Sequence, residues 1–276
     1  MQDLGWELLI EGFGKLEAPC LDLEGRVCFA DRTAGHLLRL EPDGTMTTLA
    51  ERTHVGGLVA HADGGLVATG HTVSVISADG AERLLLEPGQ GWGFNDLGTD
   101  PDGRIFVGRF DANPLPPVSG QGGSLWRLDR DGATQCYDGI QLTNGIGVSP
   151  DGTRIYHNDT TPQVVWVSDL DDAGMPVNRR HLYQFSEENP DGMAMDEAGC
   201  VWVVLIGSGR IVRLSPEGRI DGTYRGPRDW TASICFDGDD LYAVTFGGEP
   251  YDPDHTGALF RARPGVMGAP VHPASV

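Results

Sequence analysis

The chain has 276 residues, 40 of them acidic and 20 basic, for a formal net charge of −20. That balance, with no Lys/Arg stripe, excludes a nucleic-acid partner, because a polyanion would be repelled. An ordinary hydrophobic share of 39%, with 40 glycines and 18 prolines, excludes a disordered chain and predicts short strands joined by many tight turns.

In chain order, Met1–Trp6 has neither a basic leader nor a long apolar stretch, so a cytoplasmic protein without a membrane anchor is expected. Glu7–Glu11 reads as a strand. A series of turns then begins at Leu23-Glu24-Gly25 and recurs at Asp63-Gly64, Asp102-Gly103, Asp151-Gly152, Ala198-Gly199 and Asp237-Gly238. Each turn is followed by a short strand-like run, from Arg26–Ala30 to Leu241–Thr245. Asp-Gly between two such runs is a strong hairpin signal. Most units repeat the pattern, with a third strand, a second turn (Asp43-Gly44, Asp79-Gly80, Asp131-Gly132) and a fourth strand. Turn glycines 39 to 49 residues apart, with β structure throughout, predict propeller blades.

The last unit lacks a fourth strand, and Glu7–Glu11 is placed to supply it. The expected fold is therefore all-β: one six-bladed β-propeller domain over residues 1–276, closed by the N-terminal strand. Trp126, Trp166 and Trp202 are expected in the core. The five cysteines, odd in number and without C-x-x-C, read as small buried hydrophobes. His71 and His157 read as ordinary polar residues near strand ends. Asn158-Asp159-Thr160 is formally a glycosylation sequon, expected to be unused without a signal peptide.

Four oxygen-bearing residues recur at one point of the repeat. Glu17, Asn95, Asn144 and Asp191 each lie eight residues before a turn glycine, at the start of an innermost strand. Alternating strand direction puts them on the face opposite the Asp-Gly turns, close to the axis. The long loops Phe110–Gly123 and Gly247–Gly257 are expected to overhang them. Two carboxylates and two amide oxygens, with no His or Cys, suit one hard divalent cation: Ca²⁺ first, with Mn²⁺, Mg²⁺, Zn²⁺ or Fe²⁺ as alternatives. Trp92 is a candidate wall of the pocket and Arg109 a candidate substrate contact at the same mouth.

Several motifs together resemble the senescence marker protein / gluconolactonase / luciferin-regenerating enzyme family. They are Leu16-Glu17-Ala18-Pro19, Phe94-Asn95-Asp96, Asn144-Gly145-Ile146, Asn189-Pro190-Asp191-Gly192-Met193 and Gly257-Ala258-Leu259-Phe260-Arg261. The resemblance implies that Glu17, Asn144 and Asp191 are metal ligands. It implies that Asn95 contacts metal, water or substrate, and that Asp191 is the acid/base. It also implies a metal-dependent lactonase acting on a small lactone or ester; a monomer or weak homo-oligomer is expected. A phosphotriesterase or esterase at the same metal is the alternative enzyme, and a binding scaffold with an axial structural cation is the alternative of another class. Two positions depart from the family pattern. Gly93 stands where sugar-lactonase members often carry arginine, and Leu97 stands where glycine is expected.

Overall fold

Consecutive apolar residues on the short inner strands give each sheet two apolar faces to bury. The chain meets that demand by stacking sheets around an axis. A computed structural model describes residues 1–89, 92–111 and 122–276, and of Trp92 and Asp111 the backbone alone. It contains six sheets, each with a four-stranded antiparallel blade, which together make a six-bladed β-propeller. Among the described residues there is no helix, and none that is long and apolar enough to cross a membrane.

The blades follow chain order from the axis outward. Blade 1 is Leu16–Leu21, Val27–Asp31, His36–Leu40 and Met46–Glu51; blade 2 is Leu58–Ala60, Leu66–Ala68, Val73–Ile76 and Glu82–Leu86. Blade 3 is Trp92–Thr99, Ile105–Asp111, Gly123–Asp129 and Gly132–Ile140; blade 4 is Thr143–Val148, Arg154–Asp159, Val164–Leu170 and Pro176–Gln184. Blade 5 is Asn189–Met195, Val201–Ile206, Arg210–Leu214 and Ile220–Arg225. Blade 6 is Thr231–Asp237, Asp240–Thr245 and Gly257–Ala262, completed by Glu7–Phe13.

The expected closure is present: Glu7–Phe13 pairs antiparallel with Gly257–Ala262, with Glu7 opposite Arg261 and Glu11 opposite Ala258. A further strand, Gln2–Asp3, adds in parallel to the outer edge of blade 5.

Apolar side chains fill the wedges between blades. Tyr156 and Val165 of blade 4 pack with Val201, Val203 and Leu205 of blade 5. Trp202 and Val204, on the other face, pack with Ile234 and Ala243 of blade 6. The central strands thus bury both faces, which is why Val201–Ile206 reads as an unbroken apolar run. Trp202 is fully buried, as expected of a core tryptophan. Trp126 is half-buried but packs against the core of its wedge, whereas Trp166, also half-buried, joins no core cluster among the described residues, a correction to the sequence reading. They lie on the third strands of their blades, where the wedge widens, and the Arg179 guanidinium covers the Trp166 ring at 4.9 Å. Cys20, Cys28, Cys200 and Cys235 are buried, and Cys136 is half-buried.

The C-terminal residues run back across the Asp-Gly face. Ala269 N–H donates to Met195 O at 2.9 Å, Ala274 N–H to Ala60 O at 2.8 Å, and Ser275 N–H to Gly103 O at 2.9 Å. The tail thereby ties blades 5, 2 and 3 together from below.

Candidate active site at the propeller axis

The innermost strands do not run smoothly past the axis. In four blades two inner residues oppose a single residue of the next strand. Ala18-Pro19 lies between the Glu17–Ala30 and Cys20–Cys28 pairs. Asn95-Asp96 lies between Phe94–Arg109 and Leu97–Val107. Asn144-Gly145 lies between Thr143–Asp159 and Ile146–His157, and Asp191-Gly192 between Pro190–Leu205 and Met193–Val203. These are β-bulges, which interrupt pleat alternation and re-aim side chains. The four residues of the repeat column sit in or directly beside them.

The bulges bring that column together. Asn95 Nδ2 donates to Thr143 O at 2.8 Å and to Asn144 Oδ1 at 3.3 Å. Asn144 Nδ2 donates to Thr160 Oγ1 at 3.2 Å, and the Asn144 side chain also hydrogen-bonds Asp191. Blade 2 contributes no polar residue to the ring, and Gly56 makes space for a neighbour: a Cβ there would lie 2.2 Å from Asn95 Oδ1.

Glu17 and Asp191 are buried, at 7% and 4% exposure, so neither has much water to solvate a charge. Burial pushes the Glu17 carboxyl up to about 7, against the opposing pull of the Arg32 guanidinium, 3.6 Å away. Burial raises Asp191 well above the usual carboxylate range, helped by the charges of Glu17 and Asp96. Asp96, beside Asn95, is pushed up to about 8, by burial and then by Glu17, against its bond from the Leu97 N–H. Three carboxyl groups therefore crowd the axis at mutual electrostatic cost.

Such a cluster, with amide oxygens between its members, is chemically suited to a hard divalent cation. Among the described residues no three His, Cys, Asp or Glu side chains form a metal-holding group by themselves. A cation here would draw on the oxygens of Asn95 and Asn144 as well as on Glu17 and Asp191.

Below the ring a cavity of about 590 Å³ follows the axis toward the Asp-Gly face. Asp96, Ile146 and Met193 line it near the ring, and Pro270 and Pro273 of the C-terminal tail line its far end.

The remaining candidates are placed differently. Arg109 is half-buried, and a Cβ on Gly89 would lie 3.6 Å from its Nη2, so its guanidinium lies against the loop leading into blade 3. Burial lowers its pKa. The Trp92 side chain and most of the Phe110–Gly123 loop fall outside the described residues. The Gly247–Gly257 loop sets Tyr251 against Trp230 and Phe246, with Lys15 Nζ donating to the Tyr251 hydroxyl at 2.9 Å. At position 93 a Cβ would lie 3.3 Å from the Phe110 ring, so the aromatic closes the direction a side chain would take.

Sequence reasoning passed over Asp96, Arg32 and His157. Asp96 had a signal, its place beside Asn95 in the Phe94-Asn95-Asp96 motif. Arg32 had none, since it follows a second strand with no counterpart elsewhere in the repeat. His157, read as an ordinary polar residue, is buried between the Tyr137 hydroxyl at 3.0 Å and Thr143 Oγ1 at 2.6 Å. Its pKa is lowered to about 3 by burial and by Arg179, so it is neutral. The sequon asparagine, Asn158, is fully buried and donates to Asp191 O at 2.7 Å, which leaves it inaccessible to glycosylation.

A six-bladed propeller with an oxygen-lined axial ring defines a class of proteins, and comparison with known proteins resolves the family. Residues 17–246 match the model of the SMP-30/gluconolactonase/LRE-like region. The chain belongs to that family. It is 34% identical over 236 residues to a 6-deoxy-6-sulfogluconolactonase of Pseudomonas putida, covering 82% of this chain and 80% of that one. It is 31% identical over 269 residues to a pentonolactonase of Haloferax volcanii, covering 90% and 89%. Among solved structures, the calcium-binding protein regucalcin from Agrobacterium tumefaciens superposes with a TM-score of 0.86 at 21% identity, over 100% of this chain and 98% of that one.

Proposed function

We propose that this protein is a metal-dependent lactone hydrolase whose active centre is the axial ring. The observation that carries this reading is the convergence of Glu17, Asn95, Asn144 and Asp191 on the bulged inner strands. It occurs in a chain similar over four-fifths of its length or more to two lactonases. Glu17, Asn144 and Asp191, with Asn95, would hold the cation, and the all-oxygen set favours Ca²⁺. When bound, the cation supplies Lewis-acid stabilisation of the negative charge that develops on the lactone carbonyl oxygen.

The chain's own groups do the rest. Asp191 accepts a proton from the water whose oxygen attacks the carbonyl carbon. The ring C–O bond then breaks, and Asp191 returns that proton to the departing alkoxide, giving the open hydroxy acid. Without a cation, burial and the carboxylate neighbours raise its proton affinity; a bound cation would lower it again and would acidify the attacking water as well, so that the proton exchange stays matched. Asn95 Oδ1, with both amide hydrogens engaged at 2.8 and 3.3 Å, is left as an acceptor for a substrate hydroxyl or the cation. The Phe110 ring occupies the direction that an arginine side chain at position 93 would take, so that donor for sugar hydroxyls is absent and a less hydroxylated lactone is favoured.

The test is a panel of sugar and aliphatic lactones, assayed on chelator-treated protein reloaded with Ca²⁺, Mn²⁺, Zn²⁺ or Mg²⁺. Turnover restored by a divalent cation is expected, and Asp191→Asn should lose at least about a hundredfold in kcat while keeping the wild-type circular dichroism spectrum, since the general acid–base step alone is worth about 10²–10⁴-fold. Lactone turnover unaffected by chelator, or an active Asp191→Asn, would refute the reading.

A further inference from the structure

We infer that Thr160 is a positioning residue that fixes the orientation of the Asn144 amide and the seat of Asp191; this rests on the lactone-hydrolase reading. Thr160 follows the second strand of blade 4, and its hydroxyl bridges two bulges. It accepts from Asn144 Nδ2 at 3.2 Å and donates to Pro190 O, the residue before Asp191, at 2.7 Å. A hydroxyl has one hydrogen to give and lone pairs to receive, so both roles are filled at once.

The same short segment grips the ring elsewhere. Asn158 Nδ2 donates to Asp191 O at 2.7 Å. The Asp159 carboxylate accepts from the Gln141 and Leu142 N–H groups at 3.1 and 2.9 Å, and Thr160 N–H donates to Leu142 O at 2.9 Å. These bonds set the entry of the strand that carries Asn144. Behind it, neutral His157 holds Thr143 Oγ1 at 2.6 Å, and Thr143 O receives the Asn95 amide at 2.8 Å.

The consequence is specific to Asn144. An amide can present either its oxygen or its NH₂ to the axis by turning half a circle about its last side-chain torsion. Thr160 Oγ1, its hydrogen committed to Pro190 O, accepts only from the nitrogen, and so reinforces the orientation in which Asn144 Oδ1 receives Asn95 Nδ2. Without that acceptor the two orientations lie closer in energy, and the NH₂ orientation offers no lone pair to a cation. Groups that hold metal ligands in place commonly change affinity or rate by about 10–100-fold when removed.

The experiment compares Thr160→Val, which keeps the shape and removes the hydroxyl, with Thr160→Ser, which restores it. Lactone kinetics are measured, together with calorimetric titration of CaCl₂ into chelator-treated protein without substrate. The expected result for Thr160→Val is a Ca²⁺ affinity weakened about tenfold or more and a comparable loss, mainly in kcat, with Thr160→Ser within about threefold of wild type on both. Wild-type Ca²⁺ affinity and kcat in Thr160→Val would overturn the inference, as would a Thr160→Ser variant as impaired as Thr160→Val. If wild type hydrolyses lactones and Asp191→Asn does not, those outcomes defeat the positioning role alone. If wild type hydrolyses no lactone under any metal, the functional reading falls and this inference with it.

Discussion

Glu17, Asp96 and Asp191 share one stretch of the axis with Arg32 as the counter-charge to Glu17. The crowding has a measurable signature. Glu17 is raised from 4.5 to about 7 and Asp96 from 3.8 to about 8, both chiefly by burial. Between about pH 4 and pH 8 the unfolded chain has released protons that the folded chain keeps. The associated stability is therefore complete below about pH 4 and is lost as pH rises through 7 to 8. In chelator, the melting temperature should fall between pH 5 and pH 8.5, with a shallower slope in Asp96→Asn; an equal slope in that variant would refute the assignment. A second residue-scale prediction concerns Gly93. Arginine placed there meets the Phe110 ring, 3.3 Å from the Cβ position, and the overpacking should cost about 1–3 kcal/mol in urea unfolding. Combining Gly93→Arg with Phe110→Ala should recover the stability and shift the kcat/KM ratio toward hydroxylated sugar lactones. The ring itself was legible in the sequence because four copies of a repeat carry oxygen-bearing residues at one offset. Asp96 was marked only by its place beside Asn95, with no recurrence in the repeat to single it out. A bulge is where two-residue alternation fails, and no argument from alternation reveals which of two neighbouring side chains reaches the axis.

At the scale of elements, the Asp-Gly turns made most hairpins and the blade count readable, because a tight turn needs particular residues and leaves a chemical mark. Closure was readable for a different reason: the last blade was one strand short and an unmatched strand lay at the other end of the chain. Gln2–Asp3 left no mark, since its two exposed residues join blade 5 through backbone bonds that any residue can make. Closure also predicts the effect of truncation. Without residues 1–13, Gly257–Ala262 becomes an open edge, and its Arg261 loses the ion pair with Glu7 at 2.6 Å. Leu9, Ile10 and Phe13 would also leave the apolar wedge between blades 6 and 1. Fully burying a side chain of this kind contributes roughly 1.5–3 kcal/mol, and these are partly buried. A loss on the order of 4 kcal/mol follows, with self-association through the bare edge. The truncated protein should unfold at lower urea concentration and elute as oligomers in size-exclusion chromatography. A monomer of wild-type stability would show that the clasp is dispensable.

At the scale of the whole molecule, the propeller has two dissimilar ends: the ring lies toward the mouth, and the C-terminal tail lies across the Asp-Gly face. The tail is rich in proline and glycine, has no periodic pattern, and pairs through its backbone, so nothing in the sequence foretold its course. Glu197 N–H donates to Met267 O at 3.0 Å, Gly268 N–H to Gly238 O at 2.8 Å and Ala62 N–H to Ala274 O at 2.8 Å, in addition to the bonds from Ala269, Ala274 and Ser275. Blades 5, 6, 2 and 3 are thus tied by one segment. Each such bond is worth roughly 1 kcal/mol net, and ordering the tail offsets much of the total, so deletion of residues 267–276 should lower unfolding free energy on the order of 2 kcal/mol. The site lies beyond the axial cavity from the tail, so kcat toward a lactone should stay within about threefold of wild type at pH 7, a change of less than 1 kcal/mol in barrier. The pH dependence should nevertheless change. Pro270 and Pro273 line the far end of the cavity and Asp96 lines it near the ring. Opening the far end to water reduces the burial that raises Asp96, lowers its pKa, and moves the alkaline loss of stability to lower pH. Melting curves of the deletion variant from pH 5 to pH 8.5 in chelator measure that shift. An unchanged profile alongside the lower stability would mean that the tail clasps the blades without shielding the axis.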